Sequence, residues 1–155
     1  MSDKNFVSFS KPFIDALKDT FEMMVQTTLK AHSPKIKEGS VAKGDITAMI
    51  GMNGTVEKEG KEKEFKGLLA ISWPEELYVK LASRMLFEEY TEYCDDISDS
   101  GAEICNIIMG NAKNGLSPLG YKIEMASPST IRGKQHEIRY PPKTTVIEII
   151  ISCDL

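Results

Sequence analysis

One segment of the chain places five residues at alternating spacings of four and three: Asp99, Glu103, Asn106, Gly110 and Lys113. On an α-helix this spacing puts them in one line along a single face, and we call that line the polar ridge. A carboxylate and a neutral amide stand one turn apart on it, and a glycine follows one turn later. An amide can donate and accept hydrogen bonds without carrying charge. The ridge therefore predicts a surface that docks another molecule.

Two residue choices distinguish the polar ridge from an ordinary helix face. Asn106 is a poor helix former because its amide competes for backbone hydrogen bonds, and Gly110 costs roughly 1 kcal/mol against alanine. Ile107 falls at the edge of the same face, beside Asn106. A glycine lets another surface approach the helix backbone, and an exposed apolar residue offers that surface a contact. Docking is one interpretation, and a solvated polar face with ordinary variation is the alternative.

The helix that carries the polar ridge is predicted in the middle of Asp95–Gly120. Apolar and small residues recur there at spacings of three and four, so they form a stripe that faces a core. Acidic residues cluster at the start and Lys113 lies near the end, as the helix dipole favours. Gly115 is a candidate for the residue just after the helix. The stripe consists of Ile97, Gly101, Ile104, Cys105, Ile108, Ala112 and Leu116.

The polar ridge resembles the E-x-x-N helix of the CheC, CheX and FliY phosphatases, which remove phosphate from the response regulator CheY. Glu103 and Asn106 match the motif, and 110–113 match the glycine and the Asn-Ala-Lys run that follow it. The flanking segments are colinear with the family over nearly the whole chain, and the CheX type is the nearest. The resemblance implies an α+β fold, with a mostly antiparallel sheet and long helices packed against it. It also implies a homodimer.

The resemblance implies a catalytic pair, Glu103 and Asn106. Asn106 would enter the active site of the regulator and orient the water that attacks phosphorus. Glu103 would pair with the active-site lysine of the regulator, so it is not expected to be a general base. The protein would need no metal or other cofactor of its own, because the Mg²⁺ belongs to the phosphorylated regulator. The remaining partner-binding residues would be Asp99, Ile107, Gly110 and Lys113.

Two other functions remain open at this point. A binding module could use the same helix face to dock a regulator or a flagellar-switch protein without turnover. A structural domain without a site could carry Asn106 and Gly110 incidentally, since fold-level resemblance alone does not prove function. The first predicted helix lacks the E-x-x-N motif that some CheC-type relatives carry there. We therefore expect a single site per subunit, as in the CheX type.

Length and charge limit the class of protein. A chain of 155 residues predicts one domain, residues 1–155. The net charge of −4 and the absence of a long basic run weigh against a nucleic acid or an anionic membrane as the partner. The opening MSDKNFVSFS lacks the apolar core of a signal peptide. A run of about 18 apolar residues, which a membrane span requires, is also missing, so we expect a cytoplasmic protein.

The cysteines and histidines predict no site of their own. The chain has three cysteines and no C-x-x-C pair, which argues against a disulfide framework or a zinc site. Cys105 falls on the apolar stripe, where it acts as a small hydrophobic residue. His32 and His136 lie in polar, loop-like sequence, so surface positions are expected for both.

The first half of the chain predicts a helix and a hairpin. Ser10 and Pro12 look like a helix start, and Pro34 forbids continuation. Alternation over 45–52 predicts a strand, and Asn53-Gly54 is a turn signal. The charged run 57–66 reads as a solvated hairpin tip.

The nearly continuous apolar strand over 65–73 is typical of a central strand covered on both faces. Pro74 then opens a second helix, and an acidic segment follows it. That segment could bind a cation through Asp95 and Asp96, but an acidic loop before a helix N-terminus explains it more simply. Its charge could also steer encounters with a positively charged partner.

The last third of the chain predicts two more strands. Alternating residues over 121–125 indicate one strand, and Ser127–Thr130 indicates the loop after it. The polar segment 133–142 reads as a further loop or an edge. The β-branched run 144–153 predicts the final strand.

Overall fold

A long antiparallel hairpin forms the middle of the sheet. It consists of β3 (Ile46–Lys58) and β4 (Lys61–Trp73), paired from Ile46 opposite Trp73 to Lys58 opposite Lys61. On its other edge β3 pairs antiparallel with β5 (Tyr121–Met125) and β6 (Ser129–Arg132). The structure is a computed structural model that describes residues 3–37, 39–140 and 145–153, with the backbone alone for residues 3–6.

Within the part of the chain that the structure describes, three α-helices accompany these strands, and the architecture is α+β with antiparallel pairing, as predicted. The helix α3 packs against β3 and against α1, while α2 packs beside α3. The helices are α1 (Asp3–Met24), α2 (Glu75–Leu86) and α3 (Ser100–Leu116), and the remaining strands are β1 (Lys30–Ala31), β2 (Lys35–Ile36), β5 (Tyr121–Met125), β6 (Ser129–Arg132), β7 (Ile147–Glu148) and β8 (Ile151–Ser152).

The core lies between the helices and one face of β3. The residues predicted to form the inner face of this strand, Ile46, Ala48, Ile50 and Met52, are all buried. The apolar stripe of α3 is buried along its whole length against them, including Gly101. Because that face of the helix is fixed to the sheet, the polar ridge on the opposite face points away from the core.

The hairpin turns within the charged run 57–66, as predicted for that run, and the turn signal at Asn53-Gly54 is wrong. Glu59 and Gly60 form the turn, with φ angles of 52° and 75°, the positive values that a tight hairpin turn of type I′ requires. Gly54 instead lies inside β3, where a Cβ atom would stand 1.8 Å from the carbonyl oxygen of Lys122 on β5. The glycine is therefore required by the close approach of a neighbouring strand rather than by a turn.

The prediction that residues 65–73 form a central strand is wrong. Among the described residues β4 pairs with β3 alone, so it is an edge strand. Its residues Leu68, Leu69, Ala70 and Ile71 are only half-buried. An apolar run can indicate burial by a neighbour in the chain or by a partner, and sequence alone does not distinguish the two.

The first helix begins earlier and ends earlier than predicted. α1 starts at Asp3 and contains Pro12, and it ends at Met24, so Ser10 is not its cap. The extra turns are held by Phe9, whose ring centroid lies 5.3 Å from that of Phe13 and 5.6 Å from that of Tyr121. Aromatic contacts of this kind offset the backbone hydrogen bond that proline removes. The residues expected to close the helix, near Lys30, belong to β1 instead.

The predicted strand over residues 144–153 is shorter and divided. Residue 144 lies outside the described residues, and the rest forms β7 and β8, which pair antiparallel with β2 and β1. Ser127–Thr130 is only partly a loop, because β6 begins at Ser129. The segment 133–140 is a loop as predicted, and 141–142 lie outside the described residues.

The pairing of β2 with β7 places one carboxylate among three lysines. The oxygens of Glu148 lie 2.8 Å from Lys43 Nζ, 3.0 Å from Lys37 Nζ and 3.5 Å from Lys35 Nζ. Burial alone would raise the pKa of the Glu148 carboxyl, but hydrogen bonds from Lys43 and Lys37 outweigh it and lower the pKa to about 2. This cluster fixes β7 to β2 electrostatically.

Acid should weaken the fold through Glu148. Its lowered pKa adds stability that is complete above the ordinary value of 4.5 and is lost as pH falls towards about 2. The contribution at pH 7 is on the order of 1–3 kcal/mol, after discounting for the solvent exposure of Lys35 and Lys43. Urea unfolding at pH 7, 5 and 3 should show Glu148→Gln less stable than wild type, by a margin that shrinks with acid. A margin that does not change with pH would contradict this.

Candidate functional site

The structure places every predicted site residue on one outward face of α3. Asp99, Glu103 and Asn106 are exposed, and Ile107, Gly110 and Lys113 are partly exposed. All six therefore remain accessible to a partner. Ile107 lies at the edge of the polar ridge next to Asn106, so an apolar contact is available beside the amide.

The two central side chains of the polar ridge are free. Neither Glu103 nor Asn106 makes a side-chain hydrogen bond or an ion pair with the residues that the structure describes. The Asn106 amide does not bond back to its own helix, which is the usual alternative for asparagine in a helix interior. Its two donors and its carbonyl oxygen are thus available to a ligand, and the Glu103 carboxylate is available to a cation.

The three glycines of α3 differ in what surrounds them. A Cβ atom at Gly101 would lie 2.9 Å from the Tyr78 ring, and one at Gly115 would lie 2.8 Å from Pro12 on α1. Gly115 is therefore a packing residue inside the helix, which continues to Leu116, and not the residue after its end as predicted. A Cβ atom at Gly110 would meet nothing within 4 Å. The fold itself does not require glycine at position 110.

The start of α3 is held by a residue that the sequence did not indicate. The N-cap residue Asp99 forms no side-chain cap. Instead the backbone N–H of Gly101 donates to the Tyr78 hydroxyl oxygen at 2.8 Å, and this hydroxyl lies 2.9 Å from the carbonyl oxygen of Ser98. Burial raises the pKa of Tyr78 to about 12, so the hydroxyl keeps its proton at neutral pH. Tyr78 lies in the second predicted helix, but no pattern in the sequence marks it as a contact of α3.

Negative charge surrounds the start of α3. Asp95 and Asp96 are exposed in a 3₁₀ turn, Asp95–Ile97, just before Asp99. Close to them the Arg132 guanidinium stands 4.1 Å from the centroid of the Tyr93 ring, and its Nε donates to Glu75 at 2.7 Å. The described residues contain no group of three or more side chains placed to hold a metal ion. Asp95, Asp96 and Asp99 together form an acidic border at the start of the polar ridge.

Among the described residues, the side chains of the histidines and cysteines do not bond to the residues of the polar ridge. His136, which was predicted to lie on the surface, is half-buried. Its Nδ1 donates to the Gly133 carbonyl at 2.7 Å, and its Nε2 bonds the hydroxyl of the fully buried Thr47. All three cysteines are free, and burial raises the pKa of Cys105 to about 12, which leaves that thiol unreactive.

The described helices were also assessed as possible membrane spans. None of them combines the length and the apolar character that crossing a bilayer demands.

The fold and the site together define a class of protein. An antiparallel sheet carries a helix whose outward face presents an unengaged Glu-x-x-Asn pair and an unobstructed glycine. Residues 46–152, more than half of the chain, match the family model described as "Chemotaxis phosphatase CheX". The chain belongs to the CheX family.

Solved structures agree with this assignment. A CheC-like superfamily protein from Shewanella sp. PV-4 is 33% identical with a TM-score of 0.79, over 94% of this chain and 90% of that one. The chemotaxis protein CheX from Desulfovibrio desulfuricans is 27% identical with a TM-score of 0.81, over 94% and 91%. The CheX–CheY–BeF₃–Mg²⁺ complex from Borrelia burgdorferi shares the fold at 24% identity and a TM-score of 0.67, over 94% and 97%. A comparison with curated proteins finds no match.

Proposed function

We propose that this protein hydrolyses the aspartyl phosphate of a CheY-like response regulator. The observation that carries the proposal is the unengaged pair Glu103 and Asn106 on the exposed polar ridge. Membership of a family described as chemotaxis phosphatases supports it. So does the complex of a CheX from Borrelia burgdorferi with CheY, BeF₃ and Mg²⁺, since beryllium trifluoride imitates the geometry of a phosphoryl group.

The reaction needs a positioned water more than it needs new charge. Water oxygen attacks phosphorus, the bond from phosphorus to the aspartate oxygen breaks, and the aspartate leaves as a carboxylate. A regulator supplies its own Mg²⁺ and lysine to neutralise the phosphoryl oxygens, so what is missing is an in-line nucleophile. An amide can hold a water by accepting a hydrogen bond from it through the carbonyl oxygen or by donating a hydrogen bond to its oxygen through the NH₂ group. We assign that role to Asn106.

Glu103 has a separate role in this proposal. It lies one turn before Asn106 on the same face, and its carboxylate is free to pair with the active-site lysine of the regulator. Such a pair fixes which turn of α3 enters the site and strengthens docking. Ile107 would supply an apolar contact, and Asp99 and Lys113 would extend the contact surface at either end of the ridge.

Loss of phosphate from purified regulators tests the activity. Candidate CheY-like regulators from the same organism are phosphorylated with a small phosphodonor and Mg²⁺, and decay is followed with and without the protein. Accelerated decay of at least one regulator supports the proposal. Binding of the beryllium trifluoride form without acceleration of any regulator would instead identify a docking module.

Gly110 allows stability and docking to be separated. Gly110→Ala should raise the free energy of unfolding by about 0.5–1 kcal/mol, because alanine is the better helix former and its Cβ meets open space. The same methyl group should weaken regulator binding by about 1 kcal/mol or more, roughly fivefold in Kd. Thermal unfolding and titration calorimetry measure the two effects. Gly115→Ala is the matched control, since its methyl would press on Pro12 and lower stability instead. Unchanged binding in Gly110→Ala would contradict close approach at this position.

We also propose that the protein is a cytoplasmic homodimer with no metal of its own. The half-buried apolar residues along the free edge of β4 offer a second subunit both backbone groups and apolar contacts. Sedimentation velocity measures the oligomeric state directly.

A further inference from the structure

The beginning of α3 depends on a hydroxyl from another helix. A helix leaves its first backbone N–H groups without partners, and a side chain at the N-cap usually satisfies one of them. Here Asp99 does not do so. The Tyr78 hydroxyl from α2 accepts from Gly101 N at 2.8 Å and can donate to Ser98 O at 2.9 Å or Ile97 O at 3.1 Å. One oxygen thus ties the incoming 3₁₀ turn to the first turn of α3.

The Tyr78 ring is itself fixed from several sides. It is fully buried, and its centroid lies 5.5 Å from that of Trp73 and 6.1 Å from that of Tyr93. Gly101 sits so close to this cluster that a Cβ atom there would lie 2.9 Å from Tyr78 and 3.1 Å from Trp73. The rings of Tyr78 and Trp73 therefore fix the distance between the first turn of α3 and β3. The Tyr78 hydroxyl fixes how that turn is rotated about the helix axis.

Glu103 and Asn106 follow Gly101 by two and five residues in the same helix. Any shift or fraying of the first turn therefore moves both side chains relative to a docked partner. Placement of an attacking water tolerates little error, since a misplacement of about 1 Å can cost a reaction on the order of 100-fold.

We propose that Tyr78 is a positioning residue: its hydroxyl, bonded to Gly101 N and the Ser98 carbonyl, holds the first turn of α3 in the register that presents Glu103 and Asn106 to the regulator. This inference rests on the proposed phosphatase function. Tyr78 acts through the helix and does not touch the substrate.

The test uses Tyr78→Phe, which keeps the ring packing and removes only the hydroxyl. We expect kcat to fall about tenfold or more, with binding of the beryllium trifluoride regulator within about threefold of wild type. Hydrogen exchange of the amides in 100–106 should accelerate about tenfold or more, because the cap on Gly101 N is lost.

Ser83→Ala provides the matched control. It removes a hydroxyl from the same helix, α2, that likewise accepts from a backbone N–H, that of Tyr90 at 3.0 Å. Among the described residues the Ser83 hydroxyl makes no hydrogen bond to α3. A merely structural role for Tyr78 predicts that both variants lose stability and that neither loses kcat.

Each outcome bears on one of the two proposals. Loss of kcat together with faster exchange in 100–106, in Tyr78→Phe and not in Ser83→Ala, supports the positioning role. Unchanged exchange in that segment overturns it, and so does faster exchange with kcat retained. A wild-type protein without phosphatase activity overturns the proposed function, and the exchange experiment then decides separately whether the hydroxyl holds the first turn.

Discussion

Asn106→Ala should lower the rate of dephosphorylation about 100-fold or more while the Kd for the regulator changes less than about threefold. The amide is exposed and makes no hydrogen bond with the rest of the described chain, so its removal should leave the free protein folded. What it removes is the group that we propose holds water in line with the phosphorus atom. Deleting one group that acts only in the transition state typically costs 100- to 1000-fold in kcat, by analogy with single oxyanion-hole donors. Single-turnover decay of the phosphorylated regulator measures the rate, and binding of its beryllium trifluoride form measures docking.

Asn111→Ala is the control for this substitution. Asn111 is exposed on the same helix but lies off the polar ridge, so the change removes an identical side chain and gains the same helix propensity. Both variants should unfold at the wild-type temperature or slightly above it. Wild-type turnover in Asn106→Ala would rule out the water-positioning role. A large fall in melting temperature would instead show that Asn106 supports the fold.

Glu103→Lys should weaken docking and turnover together, by at least about tenfold in Kd. The wild-type carboxylate is expected to face the active-site lysine of the regulator, and close charge pairs at interfaces couple by about 1.5 kcal/mol or more. The substituted lysine would face a like charge, which adds repulsion to the lost attraction. Glu103→Ala should show a smaller loss of the same kind. Calorimetric titration with the beryllium trifluoride regulator, together with decay rates at several protein concentrations, distinguishes this pattern from the Asn106 pattern.

Salt separates direct pairing from long-range steering. The acidic residues near Asp95 create a general negative field that 0.5 M salt largely screens, whereas a desolvated contact is screened much less. The loss in Glu103→Lys should therefore persist at high salt, while the exposed Glu124→Lys should cause little loss at any salt concentration. If the Glu103→Lys defect disappeared at high salt, Glu103 would act only through the long-range negative field that it shares with the acidic border, and not through a direct ion pair.

Local periodicity was enough to predict α3 because the buried face of a helix is visible within one short segment, as apolar residues that recur every three or four positions. Ile104, Cys105 and Ile108 recur at the helical period, so the buried face could be predicted, and the ridge opposite it followed. The same reasoning failed at Gly54 and along β4, because a close strand and an open edge depend on neighbours that are distant in sequence.

The residues around the site show the same limit. Glu103, Asn106 and Gly110 could be proposed from a short motif, since they share one helix. Tyr78 could not, because its contact with Gly101 joins two helices across a sequence separation of 23 positions, and a tyrosine in an amphipathic helix is commonplace. Support for a site is often supplied by such non-local contacts.

The pairing of β1 with β8 has a consequence for the order of events during synthesis. His32 and Ser152, which bond at 2.9 Å, are 120 positions apart, whereas the β3–β4 hairpin closes across Glu59 and Gly60 alone. Contacts between residues that are far apart in sequence form late, because closing the long loop between them costs chain entropy before the contact contributes any stabilising free energy. The hairpin can thus form as soon as it leaves the ribosome. The segment from Lys30 to Ile36 must wait for its partner strands until residues 147–152 have been synthesised, and over that interval it is open to pairing with wrong partners.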